Sequence, residues 1–161
     1  MIMATRSQER VMDLVLWRHA EAEDDLVDAT RKLTKRGRKQ AKKMADWINA
    51  RLPRKCKVLA SPARRAQQTA QALDRPMTTE KRLDVDSSAE AVLAAAGWPK
   101  VQGTVVVVGH QPTLGQAAAL ALTGRADSLS IKKSGVWWLT ARSRRGRTEV
   151  VLNAVAGPET I

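Results

Sequence analysis

Two histidines occur in 161 residues, His19 and His110, and each follows directly on a short apolar run, residues 14–17 before Arg18-His19 and residues 105–108 before Gly109-His110. A third run, 58–60, leads into Ser61-Pro62, with Arg65 just beyond. A neutral imidazole, with an ordinary pKa of about 6.5, is a competent nucleophile near neutral pH. Attack on phosphorus would split hydrolysis into transfer to histidine and release by water. Arginine forks pair bidentately with phosphate, and first-turn helix amides add positive potential. A second imidazole would help hold charge on the transferred oxygens. The same residues leave a metal open, since two histidines with Glu21 or Asp24 form a nitrogen and oxygen set suited to zinc or manganese.

The flanking segments decide whether these groups can meet. The run at 14–17 and the four valines at 105–108 read as buried strands. Between them, Ala41, Met44, Ala45 and Ile48 recur at helical spacing over residues 35–50, with Lys and Arg on the other face. Ser61 and Pro62 read as N-cap and first residue of a helix running to about Leu73. A short helix is predicted near 88–96, and another opens at Pro112. Residues 136–141 and 148–155 read as a hairpin turning at Arg144-Arg145-Gly146. Trp137 and Trp138 alternate in its first strand, one directed to the core and the other to a rim or partner.

Helices alternating with apolar strands predict a single-domain α/β fold, a three-layer α/β/α sandwich with a mainly parallel central sheet and an antiparallel edge. Ligands bind such sheets beyond the C-terminal ends of the strands. His19, His110, Arg18 and Arg65 therefore converge on one small anion-binding cavity.

With 43% hydrophobic and 27% charged residues, the composition is that of a folded domain and excludes global disorder. The polar start and the lack of a long apolar run point to a cytoplasmic protein without a membrane span. Cys56 is the only cysteine, so neither an internal disulfide nor a cysteine metal cluster is expected. The net charge is +12, and it is uneven: residues 31–57 carry 12 basic side chains against Asp46 alone, while residues 20–30 carry five acids and no base. Such a field favours anionic partners. Five Trp with no Tyr or Phe argue against a single-strand nucleic-acid platform. Lys132, Lys133 and the basic cluster at 142–147 extend the cationic surface.

Four motifs in order then resemble the histidine phosphatase superfamily, the branch that includes cofactor-dependent phosphoglycerate mutases. They are Leu16-Trp17-Arg18-His19-Ala20-Glu21-Ala22, Leu33-Thr34-Lys35-Arg36-Gly37, Ser61-Pro62-Ala63-Arg64-Arg65-Ala66-Gln67-Gln68-Thr69 and Val107-Val108-Gly109-His110-Gln111-Pro112. The short middle segment is most similar to SixA-type phosphohistidine phosphatases. The resemblance implies His19 as the phosphorylated nucleophile, Arg18, Arg65 and His110 as phosphate ligands, Glu21 as an auxiliary group, and neither metal nor cofactor. Residues 1–12 are then a flexible leader and 13–161 the catalytic domain.

Ala20 replaces the family's commonest glycine, and Gln111 departs from the histidine–aspartate pair of the acid-phosphatase branch. No motif supplies the glutamate acid of the mutases, although Glu80, Asp84, Asp86 and Glu90 lie in the middle segment. An alkoxide leaving group depends on such a proton donor, worth roughly 10²–10⁴-fold. An imidazole leaving group needs it less. The expected activity is thus hydrolysis of phosphohistidine on a protein, in signalling or phosphotransfer. The alternatives are a phosphomonoesterase for a small phosphorylated metabolite and a non-catalytic basic binding module.

Overall fold

The computed structural model describes residues 9–161. The chain runs β1 (Arg10–Arg18), α1 (Lys35–Asn49), β2 (Lys57–Ala60), α2 (Arg64–Gln71), β3 (Thr78–Thr79), α3 (Ala89–Ala96), β4 (Gly103–Gly109), α4 (Thr113–Thr123), β5 (Val136–Arg144) and β6 (Arg147–Ala156). One six-stranded sheet takes the order β3-β2-β4-β1-β5-β6. Strands β3, β2, β4 and β1 are parallel, β5 runs antiparallel to β1, and β6 returns antiparallel to β5.

Strand alternation sends side chains to two separate cores. Leu14, Leu16, Leu59, Val105 and Val107 pack on one face against Val92 and Leu93 of α3 and Leu114 of α4. Val15, Trp17, Val58, Val106 and Val108 pack on the other against Met44 and Ile48 of α1 and Ala66 of α2. Both faces are covered, so the strands are apolar throughout, as parallel sheets require. Each fully buried large side chain contributes about 1.5–3 kcal/mol. The Trp17 indole keeps its hydrogen bond by donating to the Ser134 carbonyl at 3.0 Å.

Three local expectations change. Strand β1 starts inside the expected leader: residues 10–12 pair with β5, and Met12 is buried, which holds this stretch in the sheet. Residues 1–8 of that leader lie outside the described residues. Helix α2 begins at Arg64 with Ala63 at its N-cap, so Ser61 is not its cap. The edge strand β3 had no periodicity to announce it, being two exposed threonines paired with β2.

The segment after β1 is set by a backbone approach. Thr34 caps α1 by accepting from the Gly37 N–H at 2.9 Å, and its own N–H donates to the Glu21 carbonyl at 3.0 Å. A Cβ on Gly37 would sit 2.0 Å from that carbonyl oxygen. Gly37→Ala must therefore move the chain that carries His19. It is expected to cost about 1–3 kcal/mol, read as a lowered midpoint in a denaturant melt. An unchanged midpoint would show the contact to be slack.

Candidate active site

The sheet ladder extends one residue past each strand and delivers the chemistry. The His19 N–H donates to the Gly109 carbonyl and the Ser61 N–H to the Val108 carbonyl, both at 3.0 Å. Adjacent parallel strands in register thus place His19, Ser61 and His110 side by side, and α2 brings Arg65 over them. The two imidazole rings lie 5.2 Å apart, tilted by 56°. A cavity of about 300 Å³ opens here, lined by Arg18, His19, Asp28, Arg65, His110 and Lys133 among others.

The orientation of His19 is fixed by its backbone. Nδ1 lies 2.8 Å from the Ala20 carbonyl, which can only accept, so Nδ1 carries the proton and Nε2 the lone pair. Arg65 Nε donates to that Nε2 at 3.3 Å. Arg65 is itself aimed by Asp28, donating to its carbonyl at 2.9 Å and to its carboxylate at 3.1 Å. Small residues let this chain pass: Ala20 is fully buried, and its N–H donates to Thr69 Oγ1 at 3.0 Å.

His110 is set from the opposite side. Ser61 Oγ accepts from the Ala63 N–H at 3.2 Å and lies 2.8 Å from His110 Nε2. Either atom of that pair can donate: the imidazole proton sits on Nδ1 when the hydroxyl donates and on Nε2 when it accepts. That Nδ1 is buried with no hydrogen-bond partner, and so is Arg18 Nε. Arg18 is anchored at its other end, where NH1 donates to the Ile131 carbonyl at 2.9 Å. Two buried nitrogens without protein partners, one of them an arginine donor, therefore flank the free face of His19, and a buried donor of this kind calls for an acceptor.

Not every expected group is here. The Glu21 carboxylate accepts from Thr34 Oγ1 at 3.0 Å and lines a neighbouring cavity, not the histidine pocket. The cap of α1 holds it there, outside the histidine pocket. Asp24 is fully exposed, 3.9 Å from Arg31. Among the described residues no group of three or more His, Cys, Asp or Glu side chains is gathered to hold a metal. Glu80 is engaged by Arg82 at 3.0 Å. Of the four middle-segment acids only Asp84 is felt at His110, where its charge raises the pKa. Cys56 is unpaired, with Arg75 NH1 3.3 Å from its sulfur.

Two participants, Ser61 and Asp28, were not legible as such. The rule that selected the histidines, a polar residue directly after a strand, also selects Ser61, but its helix-start signal outweighed it. Nothing in the acidic run 21–28 distinguishes Asp28 from its neighbours.

Burial keeps both rings neutral. It pushes His19 down to about 3, helped by the positive charges of His110, Arg65 and Arg18 and opposed by the bond to the Ala20 carbonyl. It pushes His110 down to about 4, with Arg65 adding to the effect and Asp84 and Asp28 opposing it. The unfolded chain therefore binds these protons more readily than the folded one. Stability is full above about pH 6.5 and falls as pH drops from there toward each folded value, by up to about 1.4 kcal/mol per pH unit per histidine. The chain has no other histidine, so a melting temperature that declines between pH 6.5 and 5 reports this pair. A flat profile over that window would contradict it.

Comparisons with known proteins agree with this geometry. The sequence model of the histidine phosphatase superfamily (branch 1) matches residues 14–86, a span holding Arg18, His19 and Arg65. A SixA structure from Nakamurella multipartitia, described as a candidate phosphohistidine phosphatase, is 26% identical and superposes with a TM-score of 0.72 over 95% of this chain and 98% of its own. One of the same description from Agrobacterium tumefaciens is 27% identical, with a TM-score of 0.71 over 91% and 97%. The protein ML1117 of Mycobacterium leprae, uncharacterised, is 33% identical over 106 residues, and the match spans 63% of this chain and 63% of that protein. The chain has the SixA-type fold, and its residues 14–86 match the histidine phosphatase superfamily.

Proposed function

We propose that this chain is a histidine phosphatase that hydrolyses phosphohistidine on proteins through a covalent intermediate on His19. The observation that carries the reading is the pair of buried, unpartnered nitrogens, Arg18 Nε and His110 Nδ1, beside a nucleophile whose Nε2 holds its lone pair. A phosphoryl group supplies the acceptor that Arg18 lacks, and His110 reaches it in the tautomer with Nδ1 protonated. Arg65 turns from Nε2 to the phosphoryl oxygens as these arrive, with Asp28 keeping its fork in plane. His19 Nε2 then forms a bond to phosphorus while the bond to the substrate nitrogen breaks. That nitrogen leaves as part of a neutral imidazole already protonated on its other nitrogen, so no acid is required. Water attacks the phosphorylated His19, releasing inorganic phosphate and restoring the lone pair.

The donor charges stabilise the loose, highly charged phosphoryl transition state beside two buried imidazoles. The reaction as written uses only these side chains. Two SixA structures are described by names that specify phosphohistidine, and this supports the substrate class. A phosphomonoester would instead need a proton for its alkoxide, and of the four middle-segment acids only Asp84 is felt at His110.

The test is phosphate release from a phosphohistidine-bearing phosphotransfer protein with chelator present. Rapid release, with an aliphatic monoester turned over far more slowly, is expected. A folded enzyme that cleaves the monoester and leaves the phosphoprotein intact would overturn the assignment.

A further inference from the structure

A larger cavity, about 670 Å³, adjoins the phosphoryl pocket, and the chemistry at His19 makes no use of it. Arg18 and Lys133 line both, so these two side chains form the wall between them. Its apolar part includes Trp137, half-buried, and Val155, 55% exposed. Its charged rim is Arg36, Lys132 and Lys133, with Glu21 and Glu159 as the acids inside it. Those acids lie 3.9 Å from Arg36 and Lys132 respectively, too far for a hydrogen bond, and the basic members of both pairs are well exposed. Such pairs hold little energy and exchange readily for another carboxylate. Behind the rim, α1 turns Arg36, Gln40 and Lys43 to this side at helical spacing, and Lys43 Nζ donates to the Pro158 carbonyl of the cavity wall at 2.7 Å. The rest of its exposed face is Lys35, Arg38, Lys39 and Lys42, with Asp46 as the helix's only acid.

An apolar floor under a cationic rim, beside the pocket that holds the nucleophile, is complementary to a chain that is acidic on one side and apolar on the other. The phosphoryl group and its imidazole need only the smaller pocket. We infer that the larger groove seats an acidic, amphipathic segment flanking the phosphohistidine of the protein substrate. This rests on the phosphohistidine-protein reading given above.

The experiment compares three substrates: a phosphohistidine peptide with Asp and Glu flanks, the same peptide with Ser and Asn flanks, and phosphoramidate. Wild type is expected to favour the acidic peptide by about tenfold or more in kcat/KM, through KM, with the preference shrinking as salt is raised. Arg36→Glu/Lys132→Glu should erase the preference, while Val155→Asp lowers kcat/KM on the acidic peptide. Both variants should hydrolyse phosphoramidate within about twofold of wild type and melt as it does. Equal use of the two peptides, or a preference that survives the double variant, would overturn the groove assignment alone. Loss of phosphoramidate activity in the variants would instead make the groove part of the phosphoryl pocket, against the proposal. Hydrolysis of phosphoramidate with neither peptide cleaved would overturn the phosphoprotein reading itself, and the groove's occupant with it.

Discussion

His19→Ala is expected to lower phosphohistidine turnover by on the order of 10⁵-fold, because no other side chain in the pocket is placed to attack in its stead. His110 is the only alternative imidazole, and its Nε2 is held by Ser61 Oγ at 2.8 Å. The loss should fall on kcat with little change in KM, since the phosphoryl group keeps Arg18, Arg65 and His110. The variant should not be less stable at neutral pH than wild type. Its removed ring is buried and held neutral against its own solvation, and its one polar contact besides Arg65 is the neighbouring carbonyl. Its acid sensitivity between pH 6.5 and 5 should be about half that of wild type. Retained turnover in this variant would remove the covalent mechanism.

The second large effect is at Arg65. Arg65→Ala should cost about 10³-fold in kcat/KM, in the range for losing a cation that stabilises a phosphoryl transition state. Two losses combine. The forked donors are gone, and the Asp28 carboxylate, 3.1 Å from them in the wild type, is left facing an anionic substrate without its counter-charge. Arg65→Lys should recover little of the rate. A lysine cannot hold the Asp28 carbonyl, the Asp28 carboxylate and the phosphoryl oxygens at once, because its donors are a single point rather than a planar fork. Asp28→Asn added to Arg65→Ala should recover part of the loss by removing the repulsion. If Arg65→Ala falls within tenfold of wild type, Arg65 is a structural partner of Asp28 rather than a phosphate ligand.

The fold was largely readable because each face of the sheet is covered. Continuous apolar strands such as 105–108, separated by helices with an apolar stripe such as α1, leave a parallel sandwich as the arrangement that buries them all. The site followed from position: His19 and His110 come directly after strands that pair in register, with Arg18 opposite Gly109. What escaped the sequence was decided by tertiary competition. Ser61 carries every local sign of a helix cap, yet its N–H stays on the sheet ladder and its hydroxyl goes to His110, so the helix starts three residues later. Glu21 is two residues from the nucleophile, yet the cap of α1 is closer to its carboxylate than the phosphoryl pocket is. Asp28 reaches Arg65 only because a 3-10 turn at Asp28–Thr30 folds the acidic loop back over α2, a path no periodicity encodes.

The central claim is that the phosphoryl group passes through Nε2 of His19. Rapid acid-free quenching of enzyme mixed with a phosphohistidine protein, followed by intact-mass analysis and peptide mapping, tests it directly. The account predicts one added phosphoryl group per chain, stable to base and labile to acid, located on His19 and absent from His19→Ala. Phosphate release at full rate with no phosphorylated enzyme at any time, or a label on His110, would contradict it.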